Sequence, residues 1–412
     1  MLVRLLSVLS IRSALTERAS ASPVAISAAG MISLAVAMGV GRFAFTPLFP
    51  LMVRDGLLTS DTGALLAASN YLGYLVGATL AARLRMGATS LLRLGLIGIV
   101  LVTAALGWTS SVLAWALLRF LAGVLSAWSL VATTAWTLAW LARLGRANLA
   151  GTVFAGVGVG IAGAGVFCLI AARPGVPAER LWVELAVLAC AAALLPLIVS
   201  RIGPQTSGND HSVGIHTTED AWRSRTTGLV VCYSIFGFGY ILPATYLPAL
   251  ARQLVDDPRV FGWAWPVFGI AAALSTVITS WGLQRFSRVQ VWTASSVLMA
   301  AGVLLPTLWR SIISIVVAAL LVGGTFMVIT MVGMQEARAR AEDNATVILA
   351  QMTAGFAFGQ LAGPVVSAAV GRITADASFA LSYAMLLAAA SLIASAMYLS
   401  YENRERNRIK EH

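Results

Sequence analysis

The stretch GVGRFAFTPLFP, residues 39–50, sits inside a long apolar run and returns half a chain later as GFGYILPATYLP, residues 237–248. Gly39, Gly41 and Pro50 match Gly237, Gly239 and Pro248 at one constant spacing of 198 residues. A second correspondence follows in the same order. Gly156 and Gly160 match Gly355 and Gly359 at a spacing of 199 residues. With 37 glycines in the chain one such pair carries little, but two pairs at nearly the same spacing imply two parallel halves, related by an axis along the membrane normal.

Composition says what those halves are made of. Of 412 residues, 59% are hydrophobic and 11% charged, where a soluble domain carries roughly a quarter charged residues. Runs such as 62–82, 112–142 and 226–250 are long enough, at about 20 residues, to cross a hydrocarbon core about 30 Å thick. Apolar windows fall at 24–52, 63–82, 90–108, 112–141, 148–172 and 181–200, then at 226–250, 261–283, 290–308, 311–335, 345–370 and 378–401. The expected fold is an all-α membrane protein of twelve transmembrane helices, six in each half. Residues 201–225, the longest polar stretch of the interior, read as a linker between bundles at 24–200 and 226–401. Residues 1–23 read as a cytoplasmic lead-in rather than a signal peptide, because the apolar stretch after Arg4 is short and interrupted by Ser7 and Ser10. Residues 402–412 read as a tail.

The charge pattern orients the spans. The formal charge is +11, and all but one of the 28 basic residues are arginine. Positive charge collects on the cytoplasmic side. With both termini cytoplasmic, nineteen basic residues fall inside, seven outside, and Arg42 and Arg119 lie within spans. The arginines stand singly or in pairs between apolar runs, which argues against a nucleic-acid face. Cys168, Cys190 and Cys232 sit in apolar runs without metal-ligand spacing and read as buried hydrophobes; His211, His216 and His412 lie in the linker and tail. Neither metal nor cofactor is expected. No phosphate loop, nucleophile elbow or zinc-protease motif is present, which disfavours an enzyme and an ATP-driven pump.

Gly39, Gly41, Pro47 and Pro50 in the first span, and Gly237, Gly239, Pro243 and Pro248 in the seventh, are residues that bend or interrupt helices. Interrupted spans at matching places in two halves point to a transport site; close packing is the other reading. The pairs Gly156/Gly160 and Gly355/Gly359 read as packing contacts. An arginine within a span is costly, about 2.5–3.5 kcal/mol on insertion scales, and normally meets a partner or a ligand. Neither Arg42 nor Arg119 has an obvious carboxylate partner, with Glu184 and Glu336 nearest in depth. Both arginines are therefore candidate contacts for an anion, since guanidinium fits carboxylate or phosphate; a structural latch to backbone carbonyls or to Glu184 is the alternative. Replacing Arg119 by Ala is expected to abolish transport and leave the fold intact. Tyr240, at the repeat position of Arg42, would face the same cavity, and Phe45, Asn70, Tyr71, Tyr246, Gln351 and Gln360 complete the candidate substrate or coupling residues. Tyr74 and Trp128 lie at comparable depth.

Together these features resemble the major facilitator superfamily over residues 24–401. LLRFLAGVLSAW, residues 117–128, looks like its motif B, with Arg119 followed by Gly123. GVGRFAFTPLFPLM in the first span and AFGQLAGP in the eleventh, which adds Gly363 and Pro364, look like the branch labelled YbfB/YjiJ. The loop ARLRMGATSLLR, residues 82–93, lacks the Asp of motif A, and the fifth span lacks the Gly-Pro of the antiporter motif. The resemblance implies two six-helix bundles with spans 1, 4, 7 and 10 lining a cavity that opens alternately to each side, and gives Arg119 a role in proton coupling. The function expected is secondary transport of a small organic anion across a bacterial-type inner membrane, by a monomer, with protons as candidate coupling ions. The alternatives are proton-driven export of hydrophobic or cationic compounds, and a membrane sensor or scaffold that keeps the fold without transporting.

Overall fold

The structure, a computed structural model, describes residues 22–84, 86–173, 175–202, 219–254, 258–341, 345–374 and 377–411. All regular structure among them is helical, because backbone N–H and C=O groups in a bilayer must be satisfied within the segment that carries them. Twelve helices are long and apolar enough to cross a membrane: Pro23–Arg54, Asp61–Ala81, Ala88–Leu106, Val112–Arg143, Ala147–Ala171, Ala178–Arg201, Thr226–Ala244, Trp263–Gly282, Arg288–Leu308, Ile312–Ala341, Ala345–Val370 and Leu381–Arg408. They are called the first to twelfth spans below. Their outer faces are apolar, with Leu101, Ile170, Val187, Ile278 and Met397 each more than half exposed, a surface that suits lipid rather than water.

Local chemistry sets the helix starts. Ser22 caps the first span by accepting from the Ala25 N–H, with Pro23 at the first helical position where its missing N–H costs nothing. Thr59 with Thr62, and Ser287 with Gln290, form capping boxes at the second and ninth spans. Two tight turns place glycine in the left-handed region, Gly56 at φ 73° and Gly145 at φ 64°, where a β-carbon would be strained.

The two halves repeat one packing device. A β-carbon on Gly39 would stand 2.4 Å from the Gly160 Cα, and one on Gly359 would stand 2.0 Å from the Ser234 carbonyl, so the first and fifth spans cross as the seventh and eleventh do. Gly156 packs on the Met31 carbonyl and Gly355 beside Ser234. A second glycine face on the fifth span makes the seam between halves: Gly151 meets Thr276 and Ser280, Gly158 meets Gly269, and Gly165 meets Pro266, all in the eighth span. The second and eleventh spans also meet across the halves.

Two sequence expectations need correction. The interruption expected in both halves occurs in the first only: residues Ala35–Phe43 are a π-helix, whereas the seventh span belongs to one α-helix, Glu219–Leu254, that passes through Gly237, Gly239 and Pro243 without a break. Gly239 stands four residues before Pro243, where a proline ring crowds the backbone, and its lack of a side chain lets the helix adapt. Cys190 is exposed on the sixth span, while Cys168 and Cys232 are buried. The seventh helix begins at Glu219, within the stretch read as linker; residues 203–218, with His211 and His216, lie outside the described residues, as do 1–21 and His412.

Candidate functional site

The site grows from the π-helix. Its wider turn, and Pro47, which offers no N–H to the carbonyl of Phe43 four residues back, loosen the backbone ladder just where Arg42 sits. Side chains from neighbouring spans take up its carbonyls. Arg119 of the fourth span donates from Nη1 to the Gly41 carbonyl and from Nη2 to the Arg42 carbonyl, each at 3.1 Å. Ser126 Oγ donates to the Ala37 carbonyl at 2.7 Å. Asn70 Nδ2 donates to the Arg119 carbonyl at 2.9 Å and reaches the Gly41 carbonyl at 3.5 Å. Phe45 lies under the Arg119 guanidinium at 4.7 Å. Arg119 is thus a buttress of the first span, and Glu184 pairs instead with Arg180 at 2.7 Å.

Arg42 is placed differently. It is 3% exposed, and its Nη2 donates to Gln360 Oε1 of the eleventh span at 2.8 Å, across the boundary between halves. Its Nε and Nη1 have no partner among the described residues. The Tyr74 ring covers the guanidinium at 3.8 Å, with Tyr71 at 5.8 Å and Phe43 at 5.6 Å. Arg42 therefore meets the second and eleventh spans more closely than the fourth and seventh that the resemblance singles out.

Beside it runs a wall of rings from the other half. Phe43 contacts Trp265 at 6.3 Å and Phe326 at 6.5 Å. Trp265 stacks on Phe268, Phe268 on Phe326, and Phe326 on Tyr240, at centroid distances of 5.5, 5.4 and 4.9 Å. Tyr240 joins the wall by stacking on Phe326. Gln351 lies nine residues before Gln360, about 13 Å along the helix. The side chains of Tyr246 and Pro248 lie outside the described residues. Trp128 donates to the Gly77 carbonyl at 3.0 Å and ties the fourth span to the second. Sequence reasoning passed over Phe43, Ser126, Trp265, Phe268 and Phe326: a lone aromatic or serine in an apolar span carries no local signal, and their partners are distant in sequence.

At the end of the molecule where the chain terminates, Glu336 accepts hydrogen bonds from Arg288 and Arg340, both at 2.9 Å, and from Arg406 at 3.0 Å, while Arg340 also pairs with Glu402. These bonds join the ninth, tenth and twelfth spans. A cleft of about 450 Å³ beside them is lined by Asn148, Gln284, Gln335 and Asn403 among others. Arg338 Nη1 donates to the Leu138 carbonyl at 3.2 Å, crossing between halves. At the opposite end Asp55 accepts from Arg54 Nε at 2.7 Å and from the Ala178 N–H at 2.8 Å, which holds its carboxyl below the ordinary aspartate value, the Arg54 hydrogen bond being the main cause. No group of three or more metal-ligating side chains occurs among the described residues.

Twelve spans in two repeated halves, glycine crossings within each half and one buried arginine between them define a multi-pass membrane transporter of the major facilitator class. The chain belongs to the family described as the uncharacterised MFS-type transporter YbfB, whose model matches residues 34–399. Its fold is similar to that of the human organic anion transporter MFSD10 (TETRAN), with a TM-score of 0.71 over 93% of this chain and 99% of that one. At 14% identity that likeness is one of fold alone. No protein of curated function matches the chain in sequence. Family and fold are those of transporters, which are not enzymes.

Proposed function

We propose that the chain is a secondary transporter of a small organic anion, and that Arg42 holds the charge of that anion. The observation that carries this reading is a buried guanidinium with two unpartnered nitrogens and no acidic partner among the described residues. Such a group is expensive to keep and is ordinarily matched by a ligand. Gln360 Oε1 occupies Nη2, the nitrogen common to both edges of the guanidinium. A carboxylate that displaces it gains a two-point bond, through Nη2 and either free nitrogen. Since Gln360 belongs to the other half, the exchange links binding to the contact between halves, as alternating access requires. Arg42 and Gln360 are the ligand and its competitor; Arg119, Asn70 and Ser126 position the backbone that carries Arg42. The fold relative's description as an organic anion transporter agrees with this reading.

Three further points belong to the same proposal. The units are 24–200 and 226–401, in an inner membrane with both termini cytoplasmic, and the carrier is a monomer. Protons are the candidate coupling ion, with the carboxylate of the substrate supplying the titratable group beside Arg42. Export of lipophilic cations is the weaker reading, because the carboxylates of Glu336 and Glu184 are both engaged by arginine.

The test is uptake of carboxylates into proteoliposomes, with thermal stabilisation of the detergent-purified protein as a binding readout. Carboxylate uptake and stabilisation that both vanish in Arg42→Gln support the reading. Stabilisation by lipophilic cations alone, unchanged in Arg42→Gln, overturns it and favours export. Binding without flux, and labelling of introduced cysteines from one side only, favours a sensor.

A further inference from the structure

The central region offers two buried guanidinium groups, Arg42 and Arg119, and much aromatic surface. Arg119 spends both terminal nitrogens on backbone carbonyls and keeps Nε alone unpartnered, whereas Arg42 has both Nε and Nη1 unpartnered, so Arg42 is the better placed of the two to meet a ligand. Against it stand Phe43 and the stacked series Trp265, Phe268, Phe326 and Tyr240, four of these five rings coming from the second half. Phe43 and Trp265 are half-buried, so the wall is not closed on the side nearest Arg42.

Each property excludes a substrate class. A dicarboxylate or a phosphate monoester brings a second anionic group to which Arg119 can offer only Nε, and an anionic group short of hydrogen-bond donors is costly to desolvate. A short hydrophilic acid satisfies Arg42 but leaves the rings uncovered. A planar ring bearing one carboxylate satisfies both, since offset stacking on aromatic side chains adds to the burial of its own apolar faces. The distances between rings, 4.9 to 6.5 Å, are those of aromatic pairs already in contact; Phe43 and Trp265, half-buried, are the rings of this wall nearest Arg42 that a substrate ring meets first.

We infer that the cargo is an aromatic monocarboxylate, its carboxylate on Arg42 and its ring against Phe43, Trp265 and Phe326. This rests on the anion reading above and goes beyond it in naming the body of the substrate. The full-length protein in detergent is titrated with benzoate, phenylacetate, acetate, succinate, phthalate and the neutral benzamide, following thermal stabilisation and calorimetry. Benzoate or phenylacetate is expected to bind at least about tenfold more tightly than acetate, a difference of about 1.4 kcal/mol, with succinate, phthalate and benzamide weaker still. Phe326→Leu and Trp265→Leu, which keep an apolar side chain, should each shrink the ratio of benzoate to acetate affinity. Equal binding of acetate, succinate and benzoate, all lost in Arg42→Gln, overturns the aromatic inference and leaves the anion reading standing. Binding of benzamide as tight as that of benzoate, retained in Arg42→Gln, overturns both. The ligand series on the unaltered protein decides the matter even where a variant fails to fold.

Discussion

Arg119→Ala is the perturbation that separates a buttress from a ligand. The substitution removes two charged donors from the carbonyls of Gly41 and Arg42, both deep in the helix packing, since Arg119 itself is 2% exposed. A buried acceptor left unmet costs about 1–3 kcal/mol, so two cost about 2–6 kcal/mol. Two terms pull toward the lower end: Asn70 Nδ2 remains within 3.5 Å of the Gly41 carbonyl, and a buried cation is no longer desolvated. The expected loss is about 2–4 kcal/mol. Arg42→Gln gives the contrast. It removes one hydrogen bond to Gln360 together with two unpartnered donors, and these oppose one another, so stability should change little. The assay is equilibrium unfolding of both variants in the same detergent, with substrate absent. Unfolding of Arg119→Ala at the concentration of the parent would refute the buttress, as would a larger loss in Arg42→Gln than in Arg119→Ala.

Glycine positions supply a paired control: Gly39→Ala drives a β-carbon to 2.4 Å from the Gly160 Cα and should lower the melting temperature, whereas Gly163→Ala meets nothing within 4 Å and should leave it unchanged or raise it through helix preference. Glu336→Gln leaves Arg288, Arg340 and Arg406 facing a neutral amide, and loss of a buried charge partner costs about 3–5 kcal/mol; a melting curve unchanged from that of the parent would count against the cluster as a clamp. Asp55 should make stability acid-sensitive. Because its folded value lies below the ordinary one, its contribution is complete above about pH 4 and falls away as pH drops through the lowered value. Asp55→Asn should flatten that part of the pH profile, and an identical profile in the variant would exclude the Arg54–Asp55–Ala178 clasp as its source.

Much of this protein is legible before folding. A bilayer demands about 20 apolar residues per span and leaves helix as the answer for a single segment, so composition and spacing alone give twelve spans with ends close to those of the structure. The spacing of Gly39 and Gly237 announces the repeat, because close helix crossings admit only the smallest residue wherever they recur. Cost marks Arg42 and Arg119 for the same reason: a cation at membrane depth needs an account.

The division of labour between those two arginines is not in the sequence. Both are isolated cations in apolar spans, and they differ only in what lies opposite: two carbonyls released by a π-turn for Arg119, and an amide oxygen from residue 360 for Arg42. The carbonyls of the π-turn are met by donors from the fourth and second spans, which only the folded chain brings there. The aromatic wall is a tertiary product as well, since residues 240, 265, 268 and 326 become neighbours through the packing of the seventh, eighth and tenth spans, and Phe43 joins them when the halves meet. One-dimensional constraints of burial and length therefore determined the spans and their repeat, while the site was decided by which donors and rings the packing of spans brought to one place.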